Sequence, residues 1–132
     1  MFCFSSDRLR AGCFLRNEKM IINKSKNKII AKDYVKCYDL ISKTFGLMFR
    51  KQIKPLIFIF KKPRIYSLHT YFVKFPIDVV FLNDCFEVVD LKKNLMPFKS
   101  YKPKKMASFV LELPEHSIIN SNIKVGDIVN FK

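Results

Sequence analysis

From residue 56 onward the chain falls into short apolar runs with two-residue alternation. Leu56 to Phe60, Ile65 to Val73, Ile77 to Asn83, Phe86 to Leu91, Ala107 to Leu113 and Asp127 to Phe131 are rich in Val, Ile and Phe. Each is bounded by Pro, Asn, Asp or Lys, so each predicts a β-strand closed by a turn. Upstream, Met20 to Asn23 and Lys28 to Lys32 predict two more strands, joined as a hairpin through a turn at Asn23 to Asn27. Asn83-Asp84-Cys85 predicts a hairpin loop. In Val79-Val80-Phe81-Leu82 both alternating faces are apolar, which predicts a central strand covered on both sides.

The period changes once. Tyr34, Tyr38, Ile41, Phe45 and Met48 recur at steps of four and three, predicting an amphipathic helix over about Lys36 to Met48. Gly46 falls inside it, where glycine costs about 1 kcal/mol relative to alanine, so it is expected to end the helix or allow a close contact. The resulting fold class is α+β and mainly β: an antiparallel sandwich or barrel-like sheet with one amphipathic helix packed on it. Residues 1–19 carry no clear alternation or helical period and are expected to be an N-terminal extension, with 20–132 as a single β-rich domain. Translation from Met20 is an alternative start.

Length and composition agree with one packed core. A chain of 132 residues buries roughly two thirds of its unfolded surface on folding, and 49% hydrophobic residues, fourteen of them Phe, supply the interior. No run approaches the roughly 18 apolar residues of a membrane span. The four cysteines, at 3, 13, 37 and 85, form no C-x-x-C pair and no zinc-module spacing, so free thiols in a reducing, cytoplasmic setting are expected.

The formal charge of +14 changes the picture of partners. It makes a polyanion a candidate, although Lys-rich chains also heavy in Ile, Phe and Asn arise from A/T-rich coding alone. Two segments interleave cations with rings and prolines: Lys61, Lys62, Arg64 with Tyr66, and Lys102, Lys104, Lys105 with Tyr101. Such segments can follow phosphates while aromatics stack on bases, or can be plain solvated loops. No helix-turn-helix or RNP-like motif accompanies them.

Several phrases together resemble one family. They are Gly46-Leu47-Met48-Phe49-Arg50, Leu56 to Phe60, His69-Thr70, Phe75-Pro76-Ile77-Asp78 running into Val79 to Leu82, Tyr101 with Pro103, Phe109 to Leu113, and Gly126-Asp127. In this order over about residues 20 to 132 they are similar to the domain-of-unknown-function family 192, also called uncharacterised protein family 0127. The resemblance implies a compact β-rich fold with a small helical element and implies no established activity. Where the family commonly has a methionine this chain has Val73, and where a glycine usually follows Leu-Pro-small it has Glu115-His116.

Catalytic apparatus is thin. Only His69 and His116 could serve a nucleophile–base pair, and Pro114 breaks the helix that would align Glu112 and His116 as metal ligands. No catalytic residue, metal or cofactor is assigned. Arg50, His69, Thr70 and Asp78 could together line a shallow groove for a small polar or anionic ligand, Arg50 supplying a planar fork. Arg50 could equally clamp the helix end or pair with Asp78. The expected function is thus a non-catalytic module binding a small ligand or protein partner, with a basic nucleic-acid-associated protein as the alternative and an unrecognised hydrolase-like enzyme third.

Overall fold

The structure, a computed structural model, describes residues 20–37, 55–70 and 74–131. In chain order the strands are β1 (Ile21–Asn23), β2 (Lys28–Ala31), β3 (Val35–Cys37), β4 (Leu56–Arg64), β5 (Leu68–His69), β6 (Ile77–Leu82), β7 (Val88–Leu95), β8 (Ser100–Tyr101), β9 (Ala107–Pro114) and β10 (Val129–Phe131), with a short helix α1 (Ser117–Asn120) between β9 and β10. They form a five-stranded sheet in the order β3-β4-β9-β6-β7, a three-stranded sheet β10-β1-β2, and a ribbon of β5 with β8. All pairings are antiparallel except β3 with β4.

Side-chain alternation divides the core at the five-stranded sheet. Phe58, Ile77, Val79, Phe81 and Val110 belong to one apolar cluster, which Leu68 of β5 and half-buried Tyr101 of β8 cover. Ile57, Val80, Leu82, Leu111 and Leu113 belong to a second, covered by Ile21, Val129, Ile118 and Ile123 from the three-stranded sheet and the α1 region. Consecutive residues of one strand thus serve opposite clusters, as a pleated strand requires. All six residues of β6 are buried, and its place between β9 and β7 matches the central strand predicted for Val79 to Leu82. Both predicted hairpins, β1–β2 and β6–β7, form.

The main departure concerns the predicted helix. Lys36 and Cys37 are extended and complete β3, with Val35 opposite Leu56 and Cys37 opposite Phe58. Tyr34, the first residue of the predicted stripe, is fully buried in the second cluster just before that strand. A parallel pair needs a connection of a dozen or more residues; residues 38–54, which supply it, lie outside the described residues, as does the remainder of the expected helix over 36–48. Of the strand expected from Ile65 to Val73, only Leu68–His69 is extended among the described residues. Cys85 is disulfide-bonded, which corrects the expectation of free thiols.

Two buried carboxylates fasten the turns. Asp78 sits within β6, 2% exposed. Its Oδ1 accepts the Asn94 amide at 2.8 Å and its Oδ2 accepts the Ile118 amide at 2.9 Å. It therefore ties β6 both to the end of β7, where Asn94 takes a left-handed φ of 52°, and to the first turn of α1. His116, just before α1, has φ 74°, a conformation that disfavours any Cβ-bearing residue. Asp127 takes hydrogen bonds from the Asn23 side chain at 3.0 Å, the Lys26 ammonium at 2.9 Å and the Lys124 amide at 3.0 Å. This joins the β1–β2 turn to the turn before β10. Gly126 beside it has φ 100°, which explains the Gly126-Asp127 pair in the sequence. Burial pushes the Asp127 carboxyl pKa upward, but the donors from Lys26, Asn23 and Lys124 outweigh it and hold the group below its ordinary value.

Asp78→Ala leaves the buried Ile118 amide and the partly buried Asn94 amide without their acceptor, and losing the partner of a buried donor costs about 1–3 kcal/mol. Urea unfolding should show a destabilisation of about 2–5 kcal/mol with little change in m; a loss within about 0.5 kcal/mol would contradict the role assigned to Asp78. For Asp127 the folded pKa is depressed, so its contribution is fully present above the unfolded value of about 3.9 and is lost as pH falls through the folded value. The stability difference between wild type and Asp127→Asn should be largest near neutrality and should shrink as pH falls below about 4; a pH-independent gap would refute the assignment.

Candidate functional site

Thr70 and Asp78, which could have lined a ligand groove, instead converge on one stretch of backbone. Thr70 is buried. Its hydroxyl donates to the Met96 carbonyl at 2.6 Å and accepts the Lys99 amide at 3.0 Å. Its own amide donates to the Lys99 carbonyl and its carbonyl accepts the Phe98 amide, both at 2.8 Å. Asp78 grips Asn94 two residues before Met96. The segment 94–99 is therefore held at both ends by the side chains of Asp78 and Thr70. The result is a tight turn in which Phe98 adopts φ 62° and stands 71% exposed. His69, next to Thr70, is exposed on β5. Arg50 lies outside the described residues.

The two basic segments come together. Leu68 is opposite Tyr101 and His69 is opposite Ser100; the Thr70 bonds to Phe98 and Lys99 continue that ladder at one end. At the other end Arg64 is opposite Ala107, two residues beyond Lys105. Residues 64–70 thus run antiparallel beside residues 98–107, as one ribbon over the first apolar cluster. Leu68 and Tyr101 turn inward and anchor it, the Tyr101 ring lying 5.9 Å from that of Phe81. The alternating partners, His69, Ser100 and Lys102, are exposed.

Local geometry explains why the cations point outward. The register of β4 against β9 shifts between Ile59, opposite Phe109, and Arg64, opposite Ala107, so residues 60–63 stand against Ser108 alone. Extra residues in a strand bend it and leave some unpaired, and Pro63 has no amide to offer a ladder. Lys61, Lys62 and Arg64 are all exposed there. Arg64 holds its guanidinium 5.8 Å from the Tyr66 ring centroid, and that ring lies 5.0 Å from Phe60. On the facing segment, Tyr101 donates its hydroxyl to the Asp90 carboxylate, at 2.9 Å from Oδ2, and the Lys104 amide donates to the same oxygen at 2.9 Å. Burial raises the Tyr101 phenol pKa above its ordinary value and the Asp90 hydrogen bond and charge add to the rise, so it remains a donor. Asp90 thereby fixes the loop that carries Lys102, Lys104 and Lys105, all exposed.

Cations outnumber acids on this face, where the Asp90 carboxylate is bound by the Tyr101 hydroxyl and the Lys104 amide. Between residues 91 and 111 there is no acidic residue and there are six lysines, and no acidic residue lies between residues 40 and 77 either. The Lys26–Asp127 ion pair lies elsewhere, at the turn before β10. Among the described residues no group of three His, Cys, Asp or Glu side chains is arranged to hold a metal, and no helix is long and apolar enough to cross a membrane. Exposed apolar side chains border the ribbon: Met96, Phe98 and Met106, with Ile65 between Arg64 and Tyr66. Sequence reasoning named the cations and missed Phe98, because its signal is a backbone conformation with no sequence signature beyond Pro97 before it.

Comparison with known proteins places this architecture. Two crystal structures share the fold at 18% sequence identity: a putative transcription regulator from Sinorhizobium meliloti, with a TM-score of 0.75 over 86% of this chain and 92% of that one, and a protein of unknown function from Novosphingobium aromaticivorans, with a TM-score of 0.74 over 86% and 83%. A UPF0127 protein of Pyrococcus furiosus is 38% identical over 109 residues, covering 81% of this chain and 93% of its own length. Another, from Thermococcus sibiricus, is 37% identical over 117 residues, covering 86% and 75%. The sequence profile of DUF192, described as "Uncharacterized ACR", matches residues 21–131, and on that match, with these relatives, the chain belongs to the DUF192 (UPF0127) family.

Proposed function

We propose that this domain is a non-catalytic binding module whose outer ribbon face takes a polyanion, specifically a nucleic acid. The observation that supports the reading is that Arg64 lies opposite Ala107 while Leu68 and His69 lie opposite Tyr101 and Ser100, so the two basic segments adjoin paired backbone. The alternative it outweighs, a small-ligand groove at Arg50, His69, Thr70 and Asp78, loses support because Thr70 and Asp78 spend their polar atoms on backbone groups. His69 passes to the basic face, exposed beside Ser100.

Physical chemistry favours an extended anion over a compact one. The exposed cations are spread along two segments, Lys61 to Arg64 and Lys99 to Lys105, so an extended anion can meet more of them than a compact one. Long, solvated lysines suit point contacts to phosphate without base discrimination, while the single arginine of the two segments, Arg64, adds a fork. Lysine and proline at an exposed strand end also deter edge-to-edge pairing, and the two roles are compatible. The description of the Sinorhizobium protein as a putative transcription regulator concerns that protein, which shares the fold; a nucleic-acid partner here is consistent with it.

The test is equilibrium binding of a labelled mixed-sequence oligonucleotide across a salt series. Affinity should fall with a log–log slope of at least about −2, corresponding to three or more phosphates at about −0.7 each. Charge reversal at Lys61, Lys62 and Arg64, or at Lys102, Lys104 and Lys105, should weaken binding at least about tenfold at low salt. Reversal at Lys28, Lys32 and Lys124, outside the ribbon, should cost clearly less. Absence of binding at low salt, or equal losses from all three triple variants, would overturn the reading.

A further inference from the structure

We infer that Phe98 is a base-stacking platform and that the nucleic acid taken by the ribbon is therefore single-stranded; this rests on the polyanion reading above. Three observations meet at this residue. First, Phe98 is the most exposed large apolar side chain among the described residues, at 71%. The other rings of the ribbon are engaged: Tyr66 with Phe60 and Arg64, Tyr101 with Phe81 and Asp90. Second, its backbone sits at φ 62°, unfavourable for a bulky side chain; Phe86, at φ 63°, is the other phenylalanine so held among the described residues, but it packs on Phe109, whereas Phe98 stands in solvent. Such conformations persist only where the surroundings over-determine them, and they concentrate at ligand clamps. Here Thr70 makes four hydrogen bonds to Met96, Phe98 and Lys99, and Asp78 holds Asn94. Third, the flanking sequence is cationic, with Lys99 next in the chain, Lys102, Lys104 and Lys105 leading away along the ribbon, and no acidic residue between 91 and 111.

An apolar ring at the head of a cationic track is the arrangement by which single strands are bound without sequence preference. Cations follow the backbone, and a ring meets the π-face that every base offers. A duplex hides those faces in its own stack, so it can use the track and gain nothing from the ring. The neighbouring Met96, 46% exposed, offers further apolar contact to an unstacked base.

The chain contains no tryptophan, so Phe98→Trp places a single tryptophan at the tip, excitable selectively over the five tyrosines. Titration of F98W with oligo(dT) should quench its emission, and inorganic polyphosphate, which has charge and no bases, should leave the emission unchanged. For F98A, the ratio of oligonucleotide affinity to polyphosphate affinity should fall by roughly 5- to 100-fold, the loss expected for one stacked base. F98G relieves the left-handed backbone, so it should melt at a higher temperature than F98A while binding the oligonucleotide no better. Equal oligonucleotide affinity for F98A and wild type, tighter binding of duplex than of single strand, or preference for anionic lipid vesicles over oligonucleotide would overturn the stacking role. In the first two cases the basic track survives. Wild type that binds neither polyphosphate nor oligonucleotide at low salt removes the track, and the stacking role with it.

Discussion

A strand with every residue buried can be stable only if its polar atoms are satisfied, and that demand shapes this molecule around β6. The backbone of Ile77–Leu82 is paired on both sides, with β7 and with β9. Its side chains alternate between two apolar clusters. The one charged group among them, Asp78, finds its partners in amides of Asn94 and Ile118. A buried carboxylate with both oxygens committed to backbone donors costs less than a free one and fixes geometry, because only one placement of the neighbouring turns satisfies it. The end of β7 and the start of α1 are set by that requirement.

The outer face inherits its shape from that fixation. The end of β7 leads directly into the Met96–Lys99 turn, and Thr70 closes the turn from the β5 side. The ribbon of β5 and β8 is too short to be stable alone, since two-stranded ribbons are marginal in water. Leu68 and Tyr101 anchor it to the first cluster, and Asp90 secures the Tyr101 hydroxyl and the Lys104 amide. Rigid elements beneath and charged side chains above give a preorganised face, which limits the ordering cost on binding. The other side of the sandwich, closed by Asp127 and its donors, completes the second cluster.

Much of the fold was legible because two-residue alternation is a strong signal where strands are long and flanked by turns. Val79 to Leu82, apolar on both faces, announced its central position, and Asn83-Asp84-Cys85 announced its hairpin. The helical period misplaced its own start, at Lys36 and Cys37, which are strand. Tyr34 opened a plausible helical stripe, yet its burial leads into Val35–Cys37, a strand whose partner β4 lies some twenty residues downstream; such a pairing leaves no local trace. At the site, the chemistry of single residues was readable and their allegiance was not. Thr70 and Asp78 stood out because their side chains offer polar atoms, but the backbone groups those atoms meet are set by tertiary structure and could not be read from the sequence. The cations at 61–64 and 102–105 were visible as clusters, while the pairings at Arg64 and at Leu68–His69, which bring their neighbours together, left no trace in the sequence.

The proposed binding face is the ribbon of residues 64–70 and 98–107 with the adjoining Lys61 and Lys62. The most direct measurement is amide chemical-shift mapping by NMR during titration with a short single-stranded oligonucleotide. Amides of residues 61–70 and 98–106 should move together while those of β1, β2, α1 and β10 stay in place. Shifts confined to the β10-β1-β2 sheet and α1, or no shifts at low salt, would contradict that role.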